Sequence, residues 1–268
     1  MRKLTTALLA AAAISGAAFA EGNTASSGFY LGANAGVANT NVKYSFANQN
    51  VTNAGAANYS VAQLQQNFKA DSGKMAGIFG AFAGYGMVVG QGAYFGGEVY
   101  GGLDSSKVSP YDDSNTGAAT GYFKATVKRT NFYGLAARVG YMVTPSTLAY
   151  IRLGIEGGKW QAQVVPDSAT ITQQPALYAS TAAQQAGSNK TFTKSKNSIS
   201  FAPGLGLEAY ITKNMFLRAE YSYLFGPTIS GLNQNIEGYP NAAFAGTSVN
   251  HSFKITQHQF KIGVGYKF

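Results

Sequence analysis

The chain has no cysteine. That absence removes disulfides, thiolate nucleophiles and cysteine-ligated metals together. It also removes lipid attachment through a cysteine behind a leader. Charge is scarce, at 12% of residues. Beyond the N-terminus no apolar run reaches the ~18 residues that a helical span needs, so no helix is expected to cross a bilayer. Histidine is nearly missing: His251 and His258 stand seven apart, without metal-ligand spacing or an acidic partner nearby, and are read as plain surface residues. Ser252 follows His251, but neighbours on a strand point to opposite faces. No enzyme and no cofactor is therefore expected. Asp112, Asp113 and Asn115 look like a fragment of a calcium loop but lack its bidentate glutamate, and are read as a solvated turn. No basic run exceeds Lys128-Arg129, so an exported chain of this kind is not expected to bind nucleic acid.

What the chain does have is glycine and aromatics: 33 Gly, 17 Tyr and 17 Phe. Together they favour strands with close backbone approaches and aromatic girdles. Residues 1–20 read as a cleaved signal peptide: Arg2 and Lys3, an apolar stretch from Leu4 to Ala17, then an A-x-A site with Ala18 and Ala20. Residues 21–268 form the expected single domain. With the leader removed, 18 basic residues face 11 acidic ones, a net charge of +7. Lipid phosphate is the expected anion.

Eight segments then alternate with period two, the strand period. They begin at Gly28 and cover about 74–88, 93–104, 122–143, 148–161, 198–211, 215–225 and finally 260–268. Short connections of about 3 to 5 residues (Gly90–Gly92, Thr144–Thr147, Thr212–Asn214) alternate with long ones of about 17 to 34 residues. The long ones are read as loops over 39–72, 105–121, 163–195 and 227–252. Short turns at one end and long loops at the other fit an all-β, eight-stranded, antiparallel up-and-down transmembrane β-barrel with four long extracellular loops. Closure leaves no strand edge in lipid.

If the apolar faces meet lipid, the opposite faces place Glu98, Arg138, Arg152, Glu156, Glu208, Arg218, Glu220 and Lys261 in the lumen. An eight-stranded barrel is just wide enough for side chains to fill, and buried charges need partners. A salt-bridged plug is expected, with a small porin-like channel for ions or small solutes as the alternative. Girdle positions are expected at Phe29, Tyr85, Tyr141, Phe216, Tyr266 and Phe268 on the periplasmic side, and at Tyr133, Tyr223 and Phe225 nearer the outside. Lys43, Lys69, Lys74, Lys107, Lys124, Lys128, Arg129, Lys190, Lys194 and Lys196 gather in or beside the outer loops. There they suit lipopolysaccharide phosphates or acidic host glycans.

The leader, the eight segments, repeats such as Ala83-Gly-Tyr85 and Val139-Gly-Tyr141, and the ending Gly265-Tyr-Lys-Phe268 resemble small bacterial outer-membrane β-barrel proteins of the opacity-protein, OmpA-barrel and OmpX type. The resemblance implies Gram-negative outer-membrane localisation. It implies escort by periplasmic chaperones and insertion by the barrel-assembly machinery. Phe260, Ile262, Val264, Tyr266 and Phe268 would serve as the assembly signal on the closing strand. It further implies a role in envelope integrity, adhesion or interaction with host surface molecules. No peptidoglycan-binding domain like that of full-length OmpA follows the barrel, so direct wall anchoring is not expected.

Overall fold

The computed structural model describes residues 27–49, 67–112, 123–166, 191–235 and 248–268. The expected leader, with Ala18 and Ala20, lies outside them, as do Asp113, Asn115 and Lys190. Eleven strands run β1 (Gly28–Gln49), β2 (Asn67–Val89), β3 (Ala93–Asp104), β4 (Lys107–Asp112), β5 (Phe123–Arg129), β6 (Asn131–Thr144), β7 (Thr147–Pro166), β8 (Phe192–Tyr210), β9 (Met215–Leu224), β10 (Thr228–Asn235) and β11 (Ser248–Lys267). Among the described residues there is no helix.

Eight of these strands close a ring in the order β1–β2–β3–β6–β7–β8–β9–β11, every neighbour antiparallel. The closing ladder pairs β1 with β11 from Tyr30↔Lys267 to Gln49↔Ser248, twenty residue pairs in unbroken register. Tight turns join β2 to β3, β6 to β7 and β8 to β9 at one end, here the turn end. Gly90 and Gly92 make the first of them with φ of 58° and 115°, a backbone region that costs glycine nothing. The strand ends that the long connections join all lie at the opposite, loop end.

In the turn-end half the outward residues are apolar. Leu31, Val37, Phe79, Val99, Leu135, Leu153, Ile155, Leu205, Ile262 and Val264 are all exposed, as a surface facing hydrocarbon requires. The inward residues mix aromatics, charges and glycine. Some of these glycines stand where a larger neighbour needs the space. A Cβ on Gly206 would lie 2.3 Å from the Tyr150 ring, and one on Gly265 would lie 2.2 Å from Phe216. The glycine-rich alternation thus supplies holes into which inward rings pack.

The strands run well past the expected segment ends. Stretches expected as loops over 39–72, 105–121, 163–195 and 227–252 contain the far ends of β1, β2, β7, β8 and β11 and all of β4 and β10. The physical reason is that the alternation reverses sign. On β7 the outward row goes from Ile151, Leu153 and Ile155 to Lys159, while the inward row goes from Arg152 and Glu156 to Trp160, Ala162 and Val164. Polar outward residues made these parts look like solvent loops. The expected single segment over 122–143 is also divided, at Thr130 between β5 and β6.

At the loop end the ring separates into two sheets. The β8–β9 ladder stops at Gly204↔Ser222 and the β2–β3 ladder at Ile78↔Asp104. Beyond these points β4, β5, β7 and β8 form one sheet, and β10, β11, β1 and β2 the other. Between them lies an apolar core built from Val42, Tyr44, Val127, Trp160, Val164, Ile229, Leu232, Phe253 and Ile255, among others. This half is a small β-sandwich with the polarity of a water-soluble domain.

Candidate functional site: the barrel interior

Inward-facing positions on β3, β6, β7, β8, β9 and β11 bring all eight expected lumen charges inside the ring. Glu98, Arg138, Arg152, Glu156, Glu208, Arg218, Glu220 and Lys261 are each buried, Arg152 completely. They fall at two levels.

The level nearer the turns centres on Arg218. Its Nη1 lies 2.6 Å from Glu98 Oε2, and its Nε donates to Glu208 Oε1 at 2.8 Å. Arg138 completes the ring, pairing with Glu208 and standing 3.7 Å from Glu98. Tyrosines fasten this square to the wall: Tyr30 donates to Glu98 at 3.1 Å, and Arg138 Nη1 donates to the hydroxyls of Tyr30 and Tyr94. Beside it Glu220 accepts from Tyr150 at 3.0 Å and lies 3.5 Å from Arg152 Nε. The guanidinium faces rest on rings, Arg138 at 3.8 Å from Tyr150, Arg218 at 3.9 Å from Phe82 and Arg152 at 4.2 Å from Tyr100. Such contacts strengthen when water is excluded.

The level nearer the loops centres on Arg129, expected from the sequence among the outer-loop cations. It is buried instead: Nη1 donates to Glu156 Oε1 and to Gln257 Oε1, both at 2.9 Å, and lies 3.6 Å from Asp104. Gln257 Nε2 is shared among Asp104 at 2.9 Å, Thr40 at 2.8 Å and Ser106 at 3.2 Å. Gln259 Nε2 donates to Glu156 and to Gln257. Lys261 stands between the levels, its Nζ 5.1 Å from the Phe132 centroid and 5.5 Å from that of Tyr100. With Arg129, Asp104 and Lys267 included, six buried cations meet five buried anions. The four arginines are each within 4 Å of a carboxylate, as burial of so much charge demands, since an unpaired ion costs several kcal/mol; Lys261 and Lys267 rest against aromatic rings.

Several inward residues escaped the sequence reading. Asp104 and Gln257 share the parity of Glu98 and Lys261, a signal that was available. Arg129 did not: the interruption at Thr130 shifts β5 by one residue against β6, so inward positions become odd-numbered. Phe216, expected in a girdle, is buried against Tyr210 and Tyr30, because it shares the inward parity of Arg218. The other girdle candidates, Phe29, Tyr85, Tyr133, Tyr141, Tyr223, Phe225, Tyr266 and Phe268, lie on the outward face. His251 is not a surface residue. It is fully buried in the sandwich, its Nδ1 2.8 Å from the Tyr44 hydroxyl. Burial pushes its imidazole down to about 4. Ser252 faces the other way, as adjacent strand residues do. Among the described residues no group of three or more His, Cys, Asp or Glu is placed to hold a metal. A concavity of about 820 Å³ around Gly97, Ala83 and Ala137 is lined mainly by apolar residues, Leu31, Val99, Leu135 and Leu153 among them.

Comparison with known proteins follows the same lines. The family model for the outer membrane protein beta-barrel domain matches residues 6–268. A curated relative, the 25 kDa outer-membrane immunogenic protein of Brucella melitensis, is 28% identical over 134 residues, or 50% of this chain. The match spans 45% of that relative, less than half its length. Among solved structures, the outer membrane protein OprG of Pseudomonas aeruginosa is similar over 92% of this chain and 98% of its own, with a TM-score of 0.52 at 16% identity. That likeness is one of fold.

Proposed function

Because the chain belongs to the outer membrane protein beta-barrel family, we propose that it works as a filled, non-conducting surface barrel rather than as a pore or an enzyme. The observation that carries this reading is the stack along the barrel axis. The Arg138–Glu208–Arg218–Glu98 square, the Arg129–Glu156–Gln257 cluster and the apolar sandwich core follow one another, each joining side chains from several strands of the wall. An ion entering would have to displace paired charges and then cross a hydrocarbon-like layer, where an unpaired charge is costly.

In this reading the turn end lies in the periplasm and the loop end at the cell surface, the usual arrangement for such barrels. The sandwich then stands clear of the lipid and offers the loop end for contact with host surfaces, in adhesion or in maintaining the envelope. The name of the Brucella relative, an immunogenic outer-membrane protein, agrees with surface exposure. Phe260, Ile262, Val264 and Tyr266 on β11, and Phe268 just past its end, all point outward, where they are available to the assembly machinery after chaperone escort.

Planar-bilayer recording of the purified full chain tests the proposal. No steps above the bare lipid baseline are expected. Steady openings would overturn it in favour of the small porin-like channel.

A further inference from the structure

Beyond Gly204, where its ladder with β9 ends, β8 keeps β7 on one side and has no ladder partner on the other. The strand that faces this free edge is β10, which pairs with β11 alone. Two lysines cross the seam. Lys194 Nζ donates to the backbone carbonyl of Ser230 at 2.6 Å and lies 3.4 Å from that of Gly231. Lys196 Nζ donates to the carbonyl of Thr228 at 2.9 Å. Both lysines, expected among the outer-loop cations, stand on the inward face by ladder register, directly opposite Ala162 and Trp160. Charged side chains that point inward at a strand edge keep that edge from pairing.

The opposing strand is shaped to meet them. A bulge lies between Ile229 and Leu232, where Gly231 takes a φ of 72° and its N–H is held by Asn250 Oδ1 at 3.2 Å. Glycine adopts that backbone without strain. The bulge brings the Ser230 and Gly231 carbonyls to one ammonium group. Ile229 and Leu232, on either side of it, are buried in the same apolar core as Trp160. β10 thus covers this core with one edge held by a ladder and the other by two flexible side chains. Elements held by few backbone bonds open at lower cost than fully laddered ones. We infer that β10 is a lid clasped by Lys194 and Lys196, and that the sandwich opens along the β8–β10 seam while its ladders stay intact. Opening uncovers the core beside Trp160 together with the free edge of β8. This holds whichever end of the molecule faces the cell exterior, and whether or not the interior conducts.

The test uses the full chain in vesicles, where the lack of any native cysteine lets a single introduced thiol report opening. Ala162→Cys, directly opposite Lys194 in the core, is labelled with a maleimide in three backgrounds. These are the parent, Lys194→Met with Lys196→Met, and Lys194→Arg with Lys196→Arg. Methionine keeps a long apolar stem and loses the donors, whereas arginine keeps both charge and reach. Loss of the charge-assisted bonds is expected to speed labelling about tenfold or more in the methionine background. The arginine background should label like the parent. Ala125→Cys, buried in the same core on β5, should label alike in all three. Unchanged labelling of Ala162→Cys would overturn the clasp, as would failure of arginine to restore the parent rate. Equal acceleration at Ala125→Cys would mean that the whole core loosens, and would overturn the seam as the place of opening. Trp160, buried opposite Lys196 and the one tryptophan in the chain, gives a second reading that needs no cysteine. Its quenching by acrylamide should rise in the methionine variant and not in the arginine one. Equal quenching in all three would sink the lid.

Discussion

The two halves of the barrel share β1, β2, β7, β8 and β11 and the same inward and outward faces, yet with opposite chemistry. Towards the turns, leucine, valine and isoleucine look outward while arginine and glutamate look inward. Towards the loops, lysine and glutamine look outward while tryptophan, valine and phenylalanine look inward. No change of register accompanies the reversal on β1, β7 or β11; only residue identity changes. The outer medium decides which face is greasy, and the interior takes what remains. A hydrocarbon exterior leaves polar groups to satisfy one another inside, and an aqueous exterior returns the core to ordinary hydrophobic packing. The Thr40–Asp104–Arg129–Gln257 cluster sits at the changeover, where neither rule applies fully.

The largest effect is expected from breaking the charged half. Arg218→Met leaves Glu98 and Glu208 with fewer cations than carboxylates and should cost about 3–5 kcal/mol, seen as a lower urea midpoint and a lower temperature for the shift between folded and unfolded gel mobility. If the midpoint moves by less than a tenth of the parent value, the square is not what holds this half together.

A second test puts one substitution on one strand face twice. Leu153→Arg, facing lipid, should cost about 2–4 kcal/mol, whereas Gln161→Arg, eight residues along the same face, should stay within roughly 0.5 kcal/mol. Equal costs at the two sites would mean that the polarity reversal on β7 does not mark the edge of the membrane.

The smallest expected effect is a pH dependence confined to the sandwich. His251 is depressed to about 4, below the ordinary value near 6.5, so its stabilising contribution is present above pH 6.5 and is lost as pH falls towards 4. The slope is about 1.4 kcal/mol per pH unit within that window. Protease cutting at the loop end should rise on acidification in the parent and rise much less in His251→Gln. The membrane half should remain uncut in both.

This contrast also explains what the sequence could and could not reveal. Period two, the alternation of short and long connections, and the lumen parity from Glu98 to Lys261 are all visible in the chain, because lipid imposes one uniform outward chemistry over the membrane half. Beyond it the same period continues with reversed sign, and a search for greasy outward rows reads Lys43, Lys69 and Lys107 as loop. One-residue slips hide more: the break at Thr130 moves Arg129 to the inward set, and the break after Leu224 does the same to Ile229. His251 and Phe216 had the inward parity all along, and were misread from general expectations about histidines and strand-end aromatics.

The ladder between β1 and β11 bears on the order of events in time. Its twenty pairs join the first described strand to the last, so Tyr30 meets Lys267 across nearly the whole sequence. Contacts so distant along the chain form slowly, because a long loop must close before they repay its entropy. The barrel cannot seal until Phe268 itself has arrived. Until it does, the facing edges of β1 and β11 are left without their ladder partners. For this molecule, delay before folding is written into the topology.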